Sequence, residues 1–460
     1  MTDDSTTRRP ARAARPSGTS APPPARKRRR WPLVLGLVLV VLIGQQIASV
    51  LVLASRAKGT LDSCRPAEGQ FRGSIPFEFP NEVIVIRVRV DGDSVARDFL
   101  LDTGAPTMLS RSFLDRVRPR HRVTKITGMR GAEAIAKEGL LRLHGIEIGG
   151  VRFRDVGALV LDDARMGAFN CLSPNGVIGY NVLKTGAWQI DYPARTIRFA
   201  DRLARLGVAG ESGRVAYTTR AQETPILAAR LDGALALHLT LDTGHNGGIT
   251  IGRPELASSV GATHPERIAT RSRRPAITSR GAQPAAASVT DHVYRATRFE
   301  VGGRRFDDCL VVLSDDRRKG TDGLIGNRFL KHFVLTLNYP RREIFLRASA
   351  PVVLPGNRLG YGLECAPTPD GVAVSAVYAG SAAERLGVAV GDRVLAVNEM
   401  QVSTLTPDDL CRITRGQRTL LGDRDSVVLD LLRLRDGGER RVTVRRAPLF
   451  PGAEMPAVAQ

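Results

Sequence analysis

Three segments of this chain recur in the same order, and that duplication limits the fold more than any other feature. Phe99 to Gly104 (FLLDTG) matches Leu239 to Gly244 (LTLDTG). Ile146 to Asp163 (IEIGGVRFRDVGALVLDD) matches Phe299 to Asp316 (FEVGGRRFDDCLVVLSDD). Gly176 to Phe199 (GVIGYNVLKTGAWQIDYPARTIRF) matches Gly323 to Leu346 (GLIGNRFLKHFVLTLNYPRREIFL). The offsets are 140, 153 and 147 residues, so loop lengths differ while the core elements persist. Two copies of a unit of about 130 residues argue for two homologous lobes and against a solenoid.

Each copy reads as β-rich. Val83 to Val90 is rich in β-branched residues with partial alternation, and Asp91-Gly92 marks a turn. Gly149-Gly150 and Gly302-Gly303 are turns between apolar strands. Short helices are expected at Arg111 to Val117, Tyr180 to Leu183 and Asn327 to His332. Many short strands with glycine turns imply closed barrels or sandwiches, so the fold class is mainly β.

Asp102 and Asp242 each follow an apolar strand and precede Thr-Gly. Gly104 and Gly244 let the turn pack tightly and present an N–H to the carboxylate. Thr103 and Thr243 can hydrogen-bond to the opposite lobe and lock the two loops together. Duplication sets the two carboxyls face to face. At about 3 Å they cannot both ionise and share one proton at mildly acidic pH. The ionised member takes a proton from water, and the protonated member polarises a peptide carbonyl. That is general acid–base hydrolysis without a covalent intermediate.

At these residues the chain resembles the aspartic proteases, nearest the retropepsin-like kind. The match is Asp102-Thr103-Gly104-Ala105 with Gly176-Val177-Ile178-Gly179, and Asp242-Thr243-Gly244 with Gly323-Leu324-Ile325-Gly326. It covers roughly residues 75–350. It implies two acid-protease-like β-barrel lobes in one chain, with Asp102 and Asp242 as the catalytic dyad and each Asp-Thr-Gly loop crossing beside an apolar-apolar-Gly strand. It also implies a flap, best placed at Thr127 to Gly131, with Gly128, Met129 and Gly131 as its residues. The corresponding stretch of the second lobe, Arg271 to Ser288, reads as a polar, Ala-rich insertion without order.

Two departures matter. Ala105 follows the first triplet, where pepsin-like members carry a hydroxyl residue that helps hold the Asp ionised. One fewer donor leaves the dyad less acidic, so activity is expected at about pH 5–7. His245-Asn246-Gly247-Gly248 follows the second triplet; His245 is either a neighbouring titrating group or a plain loop residue. Asn246 stands where a serine nucleophile would be needed, which removes a serine-protease reading. No H-E-x-x-H occurs, and neither metal nor cofactor is expected.

Residues 355–447 carry no such motif. Gly360-Tyr361-Gly362-Leu363, Gly380-Ser381-Ala382-Ala383 and Gly391 to Asn398 (GDRVLAVN) resemble a PDZ domain of the bacterial protease type. The resemblance implies that backbone N–H groups at Gly360, Tyr361, Gly362 and Leu363 hold a peptide terminus, with the peptide added as a strand.

The formal charge of +21 suggests nucleic acid, but its distribution does not. Nine Lys/Arg fall within residues 1–30 against Asp3 and Asp4, and no basic stripe interleaved with aromatics follows. No nucleic-acid partner is expected. Residues 1–30 read as a disordered cytoplasmic tail. Trp31 to Ala54 is almost wholly apolar and long enough to span a bilayer as a helix. The positive flank keeps the N-terminus inside, so everything later lies outside the cytoplasm, as in a single-pass protein of a bacterial inner membrane. A cleaved signal ending near Ala57 is the competing reading. Of five cysteines, Cys365 and Cys411 fall in one domain and are candidates to pair.

The expected order is a tail (1–30), transmembrane helix (31–54), linker (55–78), N-terminal lobe (79–212), C-terminal lobe (213–350), PDZ domain (355–447) and flexible tail (448–460). The expected function is a membrane-anchored endopeptidase acting on exported or membrane-associated polypeptides. The rival is a catalytically silent two-lobed peptide-binding scaffold.

Overall fold

The computed structural model describes residues 55–117, 139–161, 169–172, 175–208, 213–219, 223–274, 288–315, 320–348, 352, 354, 356–368 and 371–451. The apolar run 31–54 lies outside them, as do Gly128, Met129 and Gly131. Among the described residues no helix is long and apolar enough to cross a membrane.

The elements are predominantly strands. In the first barrel the order is Val151–Leu161, Met108–Ser110, Gly176–Ile178, Arg97–Leu101, Val85–Val90 and Leu140–Ile148, and the last pairs again with the first. The second repeats this order with Arg304–Ser314, Ile249–Ile251, Gly323–Ile325, Leu235–Leu241, Ile226–Leu231 and Val289–Val301, also closed. Alternation explains the strands: Val85–Val90 (VIRVRV) buries every residue except its two arginines. The long hairpins turn at Gly149-Gly150 and Gly302-Gly303, all four at positive φ, which suits the right-handed twist of the strands they join. Even an irregularity is duplicated. Asp155 and Asp308 sit at φ 54° and 51°, each where the hairpin register skips a residue.

A six-stranded sheet joins the barrels. Ala187–Asp191 from the first copy pairs with Phe333–Asn338 from the second. Thr196–Ala200 and Arg72–Pro76 extend one side, and Glu343–Ala348 and Arg214–Ala216 the other. Gln189 and Thr336 face each other in the register, and the Gln189 amide donates to the Thr336 hydroxyl at 3.0 Å. One apolar core runs through both barrels and this sheet. Trp188, fully buried, stacks on Phe199 with centroids 4.3 Å apart.

The stretch expected as a linker is folded into the first barrel. Arg65–Pro66 pairs with Phe153 and Arg154, and Arg72–Pro76 forms the edge of the joining sheet. Gly157 is required there, since a Cβ would lie 1.9 Å from the Thr60 carbonyl oxygen. Arg271 to Arg273, expected in an insertion, completes the strand Ile268–Arg273; residues 275–287 lie outside the description.

The C-terminal domain has its own core around Val374, Val394, Leu429 and Val444. Helix Pro407–Thr414 starts with a capping box between Thr406 and Asp409 and has proline in its first turn. The domain is built into both barrels. Its strand Gly371–Tyr378 pairs antiparallel with Ile268–Arg273 of the second barrel. Beside that seam, buried Asp291 binds Arg273 and Arg271, and Arg271 reaches Glu364 at 3.1 Å and the Tyr378 hydroxyl at 3.2 Å. On the other side Asn81 donates its N–H to the Arg415 carbonyl at 2.8 Å. A disulfide joins Cys411 to Cys171 of the first barrel. This corrects the expected Cys365–Cys411 pair: Cys365 is a free thiol on strand Leu363–Thr368, facing its own domain's core. Residues 448–450, expected in the flexible tail, are folded: Phe450 is buried and held by the Asn357 side chain.

Candidate active site

Asp102 and Asp242 are the first residues beyond the strands Arg97–Leu101 and Leu235–Leu241. Each strand runs parallel to its apolar-apolar-Gly neighbour, with Leu101 opposite Ile178 and Leu241 opposite Ile325. The Asp102 N–H donates to the Ile178 carbonyl and the Asp242 N–H to the Ile325 carbonyl, both at 3.0 Å. Each loop then crosses its neighbour where only glycine fits. A Cβ on Gly179 would lie 2.2 Å from the Ala105 carbonyl oxygen, and one on Gly326 would lie 2.5 Å from the Gly247 carbonyl oxygen.

The two threonines interlock. The Thr103 hydroxyl donates to the Leu241 carbonyl at 2.8 Å and accepts from the Thr243 N–H at 3.0 Å. The Thr243 hydroxyl donates to the Leu101 carbonyl and accepts from the Thr103 N–H, both at 3.0 Å. All four bonds are buried, so any separation of the loops strands polar groups without water.

Gly104 donates its N–H to Asp102 Oδ1 at 2.6 Å and Gly244 donates to Asp242 Oδ1 at 3.0 Å. The two carboxyls hydrogen-bond to each other. A Cβ on Gly104 would lie 3.0 Å from Asp242 Cγ, and one on Gly244 would lie 2.4 Å from Asp102 Cγ. Both glycines are therefore the floor of the opposite carboxyl. Burial first, then the neighbouring Asp242 charge, pushes the Asp102 carboxyl well above the usual carboxylate range, against the opposing N–H bonds from Gly104 and Ala105. The arrangement can hold one proton between two oxygens.

Buried asparagines and a tyrosine hold these loops, and sequence reasoning missed them. Asn181 accepts the N–H and hydroxyl of Thr107 at 2.9 and 2.8 Å. Asn327 donates to the Thr243 carbonyl at 2.6 Å and accepts the Tyr192 hydroxyl at 2.7 Å. The signal was the break in the repeat, where Tyr180-Asn181 aligns with Asn327-Arg328. His245 folds back over its own loop, its ring against Gly247 and Gly326. Glu82 bridges to Arg328 and Lys331 at 2.8 and 2.6 Å. Burial works against its charge, but the two cations outweigh it and hold Glu82 below the usual range.

Far from the dyad in sequence, Gly360 to Leu363 opens the C-terminal domain. Tyr361 is buried and its hydroxyl donates to the Arg424 carbonyl at 2.7 Å. Gly362, at φ 71°, carries a carbonyl that accepts from Ser381 Oγ at 3.2 Å and the Tyr378 N–H at 2.9 Å.

Family comparison finds an aspartyl protease model over residues 86–182 and a PDZ domain model over residues 373–422. The chain carries an aspartyl protease domain and a PDZ domain. The aspartyl protease match contains Asp102 and ends before Asp242; the interlocked threonines are what bring the second loop to the first. Among solved structures, the chain is similar to a retropepsin-like aspartic protease from Rickettsia conorii, at 17% identity over 30% of this chain and 93% of that one, with a TM-score of 0.22. It is also similar to Basic 7S globulin from soybean, at 8% identity over 61% of this chain and 95% of that one, with a TM-score of 0.35. Comparison with curated proteins returned no match.

Proposed function

We propose that this chain is an aspartic endopeptidase whose dyad is Asp102 and Asp242, one from each of two homologous lobes. The observation that carries this reading is the pair of hydrogen-bonded carboxyls held between Gly104 and Gly244 by the Thr103–Thr243 interlock. The dyad enters the reaction with one proton. Its ionised oxygen takes a proton from the water as that water attacks the peptide carbonyl. The other carboxyl donates its proton to the carbonyl oxygen, giving a tetrahedral diol. Return of a proton to the amide nitrogen releases the amine, and no covalent enzyme intermediate forms. The raised Asp102 carboxyl keeps the singly protonated form toward neutral pH.

Residues 31–54 anchor the chain in a bacterial inner membrane with the lobes and PDZ domain outside the cytoplasm. The Cys171–Cys411 disulfide supports an oxidising location. Substrates are then exported or membrane-associated polypeptides, and the PDZ loop Gly360 to Leu363 docks peptide termini. The test is digestion of an unfolded protein by residues 55–460 between pH 4 and 8, beside Asp102→Asn and Asp242→Asn. Cleavage by wild type alone is expected. Equal behaviour of all three gives the silent peptide-binding scaffold instead. Topology is tested separately by an alkaline phosphatase fusion after residue 60 of the full chain, which is expected to be active.

A further inference from the structure

We propose that Tyr192 and Asn327 are positioning residues for Asp242, acting through a one-way chain of hydrogen bonds that has no counterpart at Asp102. The inference rests on the dyad reading above. Tyr192 belongs to the first copy and Asn327 to the second, and both are buried, at 2% and 0% exposure. The Tyr192 hydroxyl donates to Asn327 Oδ1 at 2.7 Å. Asn327 Nδ2 donates to the Thr243 carbonyl at 2.6 Å. The same peptide group presents the Gly244 N–H, which donates to Asp242 Oδ1 at 3.0 Å. The Asn327 N–H also donates to the His245 carbonyl at 2.8 Å, so one residue pins the peptide before Gly244 and the peptide after His245.

The direction of the chain gives it consequence. In an amide, donation into the oxygen draws electron density from the nitrogen and makes its N–H a better donor. The side-chain amide of Asn327 and the Thr243–Gly244 peptide are two such units in series, and aligned bonds of this kind strengthen one another. The last acceptor is a carboxylate, whose ionised form gains most from a strong donor. The relay therefore fixes where the Asp242 oxygens sit and favours the singly ionised dyad over the fully protonated one.

The first lobe has the same backbone but not the relay. The position aligned with Asn327 is Tyr180, whose hydroxyl turns away to Asp62 at 2.8 Å. The position aligned with Tyr192 is Tyr339, whose buried hydroxyl has no partner among the described residues. Among those residues no side chain donates to the Thr103 carbonyl. Apart from its bond to Asp242, Asp102 is held by backbone N–H groups, from Gly104 and Ala105. Among the described residues the other ionisable groups near the two carboxyls are His245 on the Asp242 loop and Tyr339, with Tyr217 and Glu223 behind it.

The test compares Tyr192→Phe, Asn327→Leu and Tyr339→Phe in residues 55–460. Loss of the first donor weakens the bond to Asp242, so the acidic limb of the kcat/KM profile should move up by about half a pH unit in Tyr192→Phe. That is a loss of about threefold on the limb, with KM unchanged. Asn327→Leu should move it further, and Tyr339→Phe should leave it in place. A uniform fall in rate with an unmoved limb would reduce Tyr192 to a structural part and overturn the proposal. An equal shift in Tyr339→Phe would do the same. If Asn327→Leu does not fold, Tyr192→Phe decides alone. Titration of 13C-labelled aspartate by NMR reads the dyad without turnover. It should show the same upward shift even if the wild type cleaves nothing, which would sink the peptidase reading and leave the relay standing.

Discussion

Cys171 and Cys411 are bonded across 240 residues of sequence, with Cα atoms 5.1 Å apart. One lies in the short helix Phe169–Leu172 and the other in helix Pro407–Thr414 of the PDZ domain. The next residue, Leu172, is buried in one apolar cluster with Leu100, two positions before Asp102. The PDZ domain is thus tied to the element that supports the first loop and, through the strand pair Ile268–Arg273 and Gly371–Tyr378, to the second barrel. Cys411→Ser is expected to cost about 2–4 kcal/mol of stability, because the bond restricts a long loop in the unfolded chain. Cys171→Ser should cost the same, and the double variant no more than either. Peptide mapping without reductant should recover residues 171 and 411 in one linked fragment. Recovery of a 365–411 link would contradict the structure.

The raised Asp102 carboxyl makes a stability prediction as well. Above its ordinary value of 3.8 the unfolded chain has released this proton, while the native state still binds it. The native state binds more protons there, so stability falls as pH rises from about 4 to the native value. Asp102→Asn removes the ionisable group and should melt higher than wild type at pH 7. The two melting temperatures should converge below about pH 4. Thermal scans across that range check it, and parallel curves at every pH would show that the carboxyl is not perturbed by folding.

Much of this was legible because it is local. Asp-Thr-Gly after an apolar strand, glycine pairs between strands, and the apolar-apolar-Gly segments all state a short-range geometry, and each recurs once in the same order. The interlock of Thr103 with Thr243 was readable for the same reason, since a duplicated loop on a twofold axis can meet only its own copy. What was missed is non-local. Cys411 lies 46 positions from Cys365 but pairs with Cys171, since Cys365 faces the PDZ core while the helix carrying Cys411 turns outward to the first barrel. Arg65 and Arg72–Pro76 looked like linker because short edge strands carry little hydrophobic signal. Asn181 and Asn327 hide where the repeats disagree, and a polar residue gives no sign of its burial until its partners are known.

The threonine interlock should be intolerant of valine. Thr243→Val keeps the shape but leaves the Leu101 carbonyl and the Thr103 N–H buried without partners. At about 1–3 kcal/mol for each orphaned group, the loss should be about 2–6 kcal/mol. Thr243→Ser retains both bonds and should stay close to wild type. Denaturant titration of the three proteins measures this; valine matching serine would mean the bonds contribute little.

The seam between the PDZ domain and the second barrel is expected to loosen in acid. Burial alone would raise Glu364; the charges of Arg271 and Arg358 and the Tyr378 hydroxyl outweigh it and hold it below the usual range. A carboxyl lowered on folding stabilises above its unfolded value of 4.5, and the contribution is lost as pH falls through the native value. Glu364→Gln should speed hydrogen exchange of residues 271–273 and 376–378 at pH 7, and the difference from wild type should fade below the carboxylate range. Unchanged exchange at pH 7 would show that strand pairing alone holds the seam.

The sharpest steric test is Gly244→Ala. Its Cβ would stand 2.4 Å from Asp102 Cγ, closer than carbon atoms approach without a shift. Retreat is blocked: the strand behind Asp102 pairs with Gly176–Ile178, and Thr103 is bonded across to Thr243 and Leu241. The Asp102 carboxyl must therefore rotate away, breaking its bond to Asp242 and to the Gly104 N–H. Peptide cleavage should fall by at least about 100-fold, the scale of misplacing a reacting group by an ångström. Gly104→Ala meets Asp242 Cγ at 3.0 Å, a milder contact, and should lose less. Rates for both variants in residues 55–460 check the order, with circular dichroism to confirm folding. Equal activity in Gly244→Ala and wild type would mean the two carboxyls do not meet over these glycines.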